Sequence, residues 1–530
     1  MMSASAGTAG DEMDAFVRQI RERMVSEATT DKEDLLFQIE TLLSDIRDMM
    51  AASYGPCGMN KLVADPTGDI YMTSDGKTLI KETDILHPAA VALKRLGQGM
   101  NKACGDGTKT AIMTACNLLL RALPLMKRKV HPSVIVGGYE KAIIKLCEMM
   151  DYVSEDASPD MMISAVRAAA FGKGLDADQA DRLADACFRT VVGMDRRDGS
   201  FIDLENHVKI LKKQGAAQIV SVNGVILDEK PARDDMPTLI EDPRILLIRG
   251  DLKPASAYMN AEHFVRADSP EKRASLKEAR TAIALNAADK IASCGADVII
   301  CEGAADPAIE EAFAGRGILL YTRVKVKDMD YIARASNAGF SKIFDDAGDM
   351  ARCLGRAGCA RVVKKRYDTF LILESDGPVT SVLITEPMKY GLGKIEEAAD
   401  DALNTAAFLL RYPQVVTGAG GTEYFLARAL RIYANTIPGK EQLAVMAFAD
   451  AVEDIAKTLA KNIGMDVTDA MAELSARQTD GLDARLDVGR RVVENSPGVY
   501  DCAAIRKTAL ISAAETAVSL LRVDGIFLKK

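Results

Sequence analysis

The chain has 530 residues, 48% of them hydrophobic and 27% charged, and a formal net charge of −9. Such a composition excludes a disordered chain and leaves room for roughly three to four domains. The negative balance argues against nucleic acid or an anionic membrane surface as a partner, since either requires a basic face.

No run reaches the ~18 uncharged apolar residues of a membrane span, and Arg121 interrupts the best candidate. The start, MMSASAGTAGDEMDAF, lacks a basic-then-apolar leader, so the expected location is the cytoplasm. The ten cysteines are scattered. The closest pairs, Cys294/Cys301 and Cys353/Cys359, lie far from the four histidines, so thiolate metal binding is not expected. They read instead as small apolar core residues in a reducing compartment.

In chain order, Leu35, Leu36, Ile39, Leu42, Leu43, Ile46, Met49 and Met50 recur at helical spacing. KLVADPTGDIYMTSDGKTLI, broken by Pro66, Gly68 and Gly76, predicts a hairpin of short strands. GDGTKT (Gly105 to Thr110) then opens the apolar helical run AIMTACNLLLRAL. The last 130 residues are again helical by pattern.

The middle differs. DSPEKRASLKEARTAIALNAADKIASCG predicts a long helix, started by Ser269 and Pro270 and stopped by Gly295. Its first half is charged and is expected to project into solvent. ADVIICEG predicts a buried strand; DPAIEEAF, with Asp306 as N-cap and Pro307 at the first position, predicts a helix; ILLYTRV predicts a second strand. That β-α-β-α order implies parallel strands in an α/β domain, inserted between helical ends.

GDGTKT itself leaves two readings open. A helix N-terminus with glycines and hydroxyls suits a phosphate, and Asp106 is tolerable there if it faces a bridging Mg²⁺. Equally, Gly105 and Gly107 can form an ordinary loop with Asp106 as a helix cap. It is not a P-loop, because Thr108 stands where that motif needs its second glycine.

Further segments join it: YGPCG, TSDGKT, HPAAVALK, HPSVIVGGYEKA, NGVILDE, VVTGAGGTE, EQLAVMAFADAVEDIAKTLAKNIG, PGVYD and SAAETAVSLLRVD. In this order and spacing the chain resembles the group II chaperonins, the thermosome of archaea and its cytosolic eukaryotic relatives, over nearly its whole length. The resemblance implies a multi-domain α and α/β fold in five segments. Residues 1–152 and 404–530 would form a mainly helical equatorial domain. Residues 153–217 and 369–403 would form a small intermediate hinge domain. Residues 218–368 would form an inserted α/β apical domain carrying a helical lid protrusion. It also implies an ATP-dependent chaperone that assembles with itself into two stacked rings and acts on non-native proteins.

Carried over residue by residue, Tyr54, Gly55 and Pro56 would line the nucleotide pocket. Asp106 would bind Mg²⁺, with Gly107, Thr108, Lys109 and Thr110 around the phosphates of ATP. Asp75 and Asp401 match the pair that orients and activates the attacking water. Lys173 matches a loop lysine that senses the terminal phosphate, a task suited to a mobile point charge. Gly418, Ala419 and Gly420 would approach the nucleoside, Asp501 the ribose, and Asp483 and Ala484 the base. Taken singly, each has a plain alternative. Asp75 can serve a turn with Gly76, Lys173 can be loop chemistry, and one of Asp400 and Asp401 is expected to be a surface charge.

Departures from the family pattern are specific. Lys109 stands where the family places a further threonine, and can meet phosphate or turn to solvent. Lys77 beside Asp75 replaces a small residue and would lower that carboxylate's basicity. Ala419 replaces the middle glycine of a usual Gly-Gly-Gly. Glu397 stands where arginine is common, TEP (Thr385 to Pro387) replaces an Arg-Gly-Gly-like loop, and the ending GIFLKK lacks the usual Gly/Met-rich tail. The main expectation is an ATP-driven folding chamber. The alternative is a chaperonin-like scaffold that binds nucleotide without productive cycling; a small-molecule kinase or ligase has no acceptor motif to support it.

Overall fold

In the computed structural model the helix that follows GDGTKT runs from Thr108 to Lys127 and hides nearly every side chain of its first four turns. Apolar on all sides, it can lie only inside a helical layer. The helices Lys32–Ala51, Glu441–Ile463 and Ala503–Leu521 all pack against it and supply that layer. The structure describes residues 32–64, 70–82, 87–171, 173, 175–194, 203–253, 269–343, 345–365, 368–387, 389–478, 484–495 and 498–523. No helix among them is long and apolar enough to cross a membrane.

The chain forms two compact units: Met1–Val191 with Pro387–Lys530, and Val192–Glu386. The inserted middle expected from the sequence is therefore present. The first unit is helical, and its helices start at defined signals. His87 and His131 each accept a backbone N–H two residues on, from Ala89 and Ser133, with proline at the first helical position. Proline loses nothing there, because that N–H has no helical partner.

Lys61–Ala64 and Ile70–Thr73 pair antiparallel as the predicted hairpin. The rest of that stretch departs from expectation: Gly76–Glu82 is a helix, not a strand. Its start is fixed by Asp75, whose carboxylate accepts the Lys77 and Thr78 N–H groups, a capping bond that strand geometry cannot offer. A small three-stranded sheet places Gln414–Thr417 between Tyr500–Cys502 and Glu155–Asp156.

In the second unit, Arg244–Ile248, Val298–Cys301 and Leu319–Tyr321 lie parallel, with Phe340–Ser341 parallel on the far side of Arg244–Ile248. Val298–Cys301 and Leu319–Tyr321 are fully buried, as a parallel strand covered on both faces must be. Asp306 caps the intervening helix Pro307–Gly315 through the Ala308 N–H.

The long helix runs Pro270–Ser293 and ends before Gly295, which has φ +85°. Its first half is exposed, while Ala284, Ala288 and Ile291 in the second half join the core. A six-stranded sheet completes the unit, with Val208–Gln214 parallel to Thr380–Glu386, and Thr380–Glu386 antiparallel to Gln218–Leu227. Strands at 208–214 and 369–386, assigned from the resemblance to a hinge segment, are thus hydrogen-bonded into the sheet of this second unit.

Candidate functional site

All of the candidate residues that the structure describes belong to the first unit, and they gather round one feature, the N-terminus of the Thr108–Lys127 helix. Gly107 is its cap residue, at φ +83°, and no side chain caps the first turn. The leading N–H groups and the positive end of the helix dipole are therefore available to an anion. Asp106 accepts the Gly107 N–H at 2.6 Å and does not cap the helix, which removes the simplest structural reading of that residue. Gly105, at φ +73°, lies so close to Asn404 that a Cβ would fall 2.1 Å from Asn404 Cγ. That approach brings the Lys389–Arg411 helix against the loop.

Asp401 lies on this helix and pairs with Lys173. The ammonium also donates to the Glu397 carbonyl at 2.9 Å, and Lys173 as a residue is 7% exposed, so it is a held charge rather than a mobile one. Burial pushes the Asp401 carboxyl up to about 7; Lys173 opposes the shift and the charge of Asp106 adds to it. Burial works against the Lys173 ammonium too, but Asp401 outweighs it and its pKa is raised. Asp401 is turned inward while Asp400 is exposed. Asp75 is fixed by its turn: its N–H donates to Thr73 Oγ1 at 2.9 Å, and Oδ2 accepts both the N–H and the hydroxyl of Thr78. Lys77 meets Asp75 through its backbone N–H, and its side chain is exposed.

Lys109 turns inward. Its side chain crosses Gly76, where a Cβ would sit 2.6 Å from Lys109 Cγ, and its ammonium donates to the Ser53 carbonyl at 2.9 Å. Burial lowers its pKa, the like charge of Lys173 adds to this, and Asp401, Asp106 and Asp75 oppose it. Of the two fates open to Lys109 in the sequence, exposure to solvent is not the one it takes.

On the other side of the helix start, Tyr54 is buried and its hydroxyl lies 3.1 Å from Thr110 Oγ1. Arg506 donates to both hydroxyls and pairs with Asp501 at 2.6 Å and Glu423 at 3.3 Å. Thr110 thus braces the loop of Tyr54, Gly55 and Pro56, while Thr108 is buried at the first helical position. Gly418 to Gly420 form the turn between the strand Gln414–Thr417 and the helix Gly421–Ala434. Asp501 Oδ2 lies 3.2 Å from where a Gly418 Cβ would be. Ala419 adopts φ +51°, a left-handed conformation that glycine takes up more readily than alanine. Ala484 opens the strand Ala484–Asp487, and its carbonyl and that of Gly421 both accept from Gln478 Nε2. Asp483 lies outside the described residues.

Reading the sequence missed Thr73, Ser53, Arg506 and Glu423 as site residues and gave Glu397 no role there. Glu397 carries a signal, lying one helical turn before Asp401. Arg506 and Ser53 carry none, since only folding brings them to the loop.

The TCP-1/cpn60 chaperonin family model matches residues 46–530. The chain belongs to that family. Among its relatives, a thermosome subunit of Methanopyrus kandleri is 32% identical over 492 residues, 91% of this chain and 89% of that one. The thermosome alpha subunit of Methanothermobacter thermautotrophicus is 34% identical over 489 residues, again 91% and 89%. A crystal structure of a group III chaperonin in the open state matches with a TM-score of 0.77 at 22% identity, over 93% of this chain and 99% of that chain, which shows the fold. This chaperonin therefore has the multi-domain α and α/β fold and the thermosome-type kinship expected of it.

Proposed function

We propose that this chaperonin binds and hydrolyses ATP at the start of the Thr108–Lys127 helix and uses the cycle to assist the folding of non-native proteins. The observation that carries the reading is the convergence of Asp75, Asp106, Asp401 and Lys173 on a helix N-terminus that no side chain caps. Thr108, Lys109 and the leading N–H groups would hold the phosphates, and Asp106 is the carboxylate to hold Mg²⁺ beside them. When bound, Mg²⁺ supplies charge neutralisation on the phosphate oxygens.

Phosphoryl transfer needs mainly positioning and charge balance. Asp75, locked by its own turn, orients the attacking water, and Asp401 takes its proton. A carboxyl near 7 is well matched to that task at neutral pH. Lys173 offsets charge developing on the terminal phosphate. Gly418, Ala419 and Gly420 with Asp501 would receive the nucleoside, and Ala484 with Asp483 the base.

Around this site we place the equatorial, intermediate and apical segments inferred from the sequence, the exposed half of Pro270–Ser293 as the lid protrusion, two stacked rings of this one chain, and a cytoplasmic location. Mg²⁺-dependent phosphate release from ATP tests the reading, with Asp401→Ala and Asp75→Ala beside the wild type. Turnover that survives both substitutions would remove Asp75 and Asp401 from the mechanism. Lys109, seated on the Ser53 carbonyl within the phosphate loop, favours a second reading in which nucleotide binds without cycling. Binding with no turnover in the wild type would establish that one instead.

A further inference from the structure

We propose that Glu397 is a positioning residue of the hydrolytic site, joining the Asp75 turn to the Lys173–Asp401 pair. The inference rests on the hydrolytic reading above. Three contacts carry it. Thr73, 1% exposed at the end of its strand, donates its hydroxyl proton to Glu397 Oε1 at 2.9 Å and accepts the Asp75 N–H at 2.9 Å on the same oxygen. The Glu397 carbonyl accepts the Lys173 ammonium, which is also the partner of Asp401. Glu397 Oε2 is buried with no hydrogen-bond partner among the described residues.

The direction of the first contact depends on Glu397 being an acceptor. A carboxylate fixes the Thr73 proton and leaves its oxygen lone pairs for the Asp75 N–H. An arginine at this position could only donate, and would compete with Asp75 for that oxygen. This chain thus couples both water-handling carboxylates through one side chain and its backbone. The charged groups facing Glu397 are Asp75 from the turn, Lys173 from its loop and Lys109 from the helix start. Burial, with the charge of Asp75 adding, raises its pKa, and the two lysines hold it down.

The test is ATP hydrolysis with Mg²⁺ by the full-length protein as wild type, Glu397→Ala, Glu397→Gln, Thr73→Val and the double variant Thr73→Val/Glu397→Ala. Expected is a loss of kcat of roughly 10- to 100-fold in Glu397→Ala and in Thr73→Val, with KM for ATP changed far less. The double variant should be no worse than either single one, because both break one chain of contacts. Glu397→Gln keeps an acceptor for Thr73, so it should recover much of the lost kcat. Wild-type turnover with kcat unmoved in Glu397→Ala, no recovery of a lost kcat in Glu397→Gln, or additive losses in the double variant, would overturn this inference alone. Absence of turnover in the wild type would overturn the hydrolytic reading and this inference with it. If Glu397→Ala does not melt cooperatively, Thr73→Val and Glu397→Gln decide the matter by the split between kcat and KM.

Discussion

At the scale of the residue, Asp401 makes the sharpest prediction. In the free protein its carboxyl titrates at about 7, so kcat/KM should rise with pH through that region as the base loses its proton. Lys173 holds this pKa down, and Lys173→Met should therefore move the acid limb to higher pH in an initial-rate profile. Stability follows the opposite course. The folded carboxyl keeps a proton that an unfolded chain would release above 3.8, so the contribution of Asp401 to stability falls as pH rises from there to about 7. Asp401→Ala strands a buried ammonium and should cost up to about 3 kcal/mol in a denaturant melt, besides abolishing turnover. Ala419 invites the reverse experiment. Left-handed alanine is strained by about 1 kcal/mol, but a glycine adds unfolded-state entropy of nearly that size. Ala419→Gly should leave the melting temperature almost unchanged. Removal of the methyl should lower KM for ATP by roughly tenfold or less, and an unchanged KM would place the nucleoside elsewhere.

At the scale of the element, the helix Pro270–Ser293 has two characters in one rod. Ile283 is 38% exposed and Ala288 is fully buried. Ile283→Asp should change stability by no more than about 0.5 kcal/mol, whereas Ala288→Asp buries an unpaired charge and should cost about 3 kcal/mol or more. Equal effects in thermal melts would mean that the Ile283 face of the helix packs in a core. This helix was legible in the sequence because Ser269, Pro270 and Gly295 are local signals and its charged first half is a local pattern. Gly76–Glu82 was not, although Asp75 is a good helix cap. Pro66, Gly68 and Gly76 punctuate the stretch at strand-like intervals, and that pattern concealed the cap.

At the scale of the molecule, an insertion between helical ends was readable from the change of texture. The second unit has a continuous apolar core of its own, from Val225 to Val379. Residues 192–386 produced alone should therefore melt cooperatively with dispersed side-chain spectra; a molten, dye-binding state would show that the core needs the rest of the chain.

The sequence by itself determined the family, the helix starts at Pro270 and after Asp306, and the buried parallel strands. These depend on local propensity, on periodicity and on motifs that remain contiguous in the chain. Only the tertiary structure decided where Lys109 points, that Asp401 rather than Asp400 faces inward, that Thr110 braces Tyr54 through Arg506, and that Glu397 links Asp75 to Lys173. Each of those depends on a partner roughly 50 to 450 residues away in the chain. The direction of a side chain, and the pKa that burial and neighbouring charges give it, exist only once such partners are packed together.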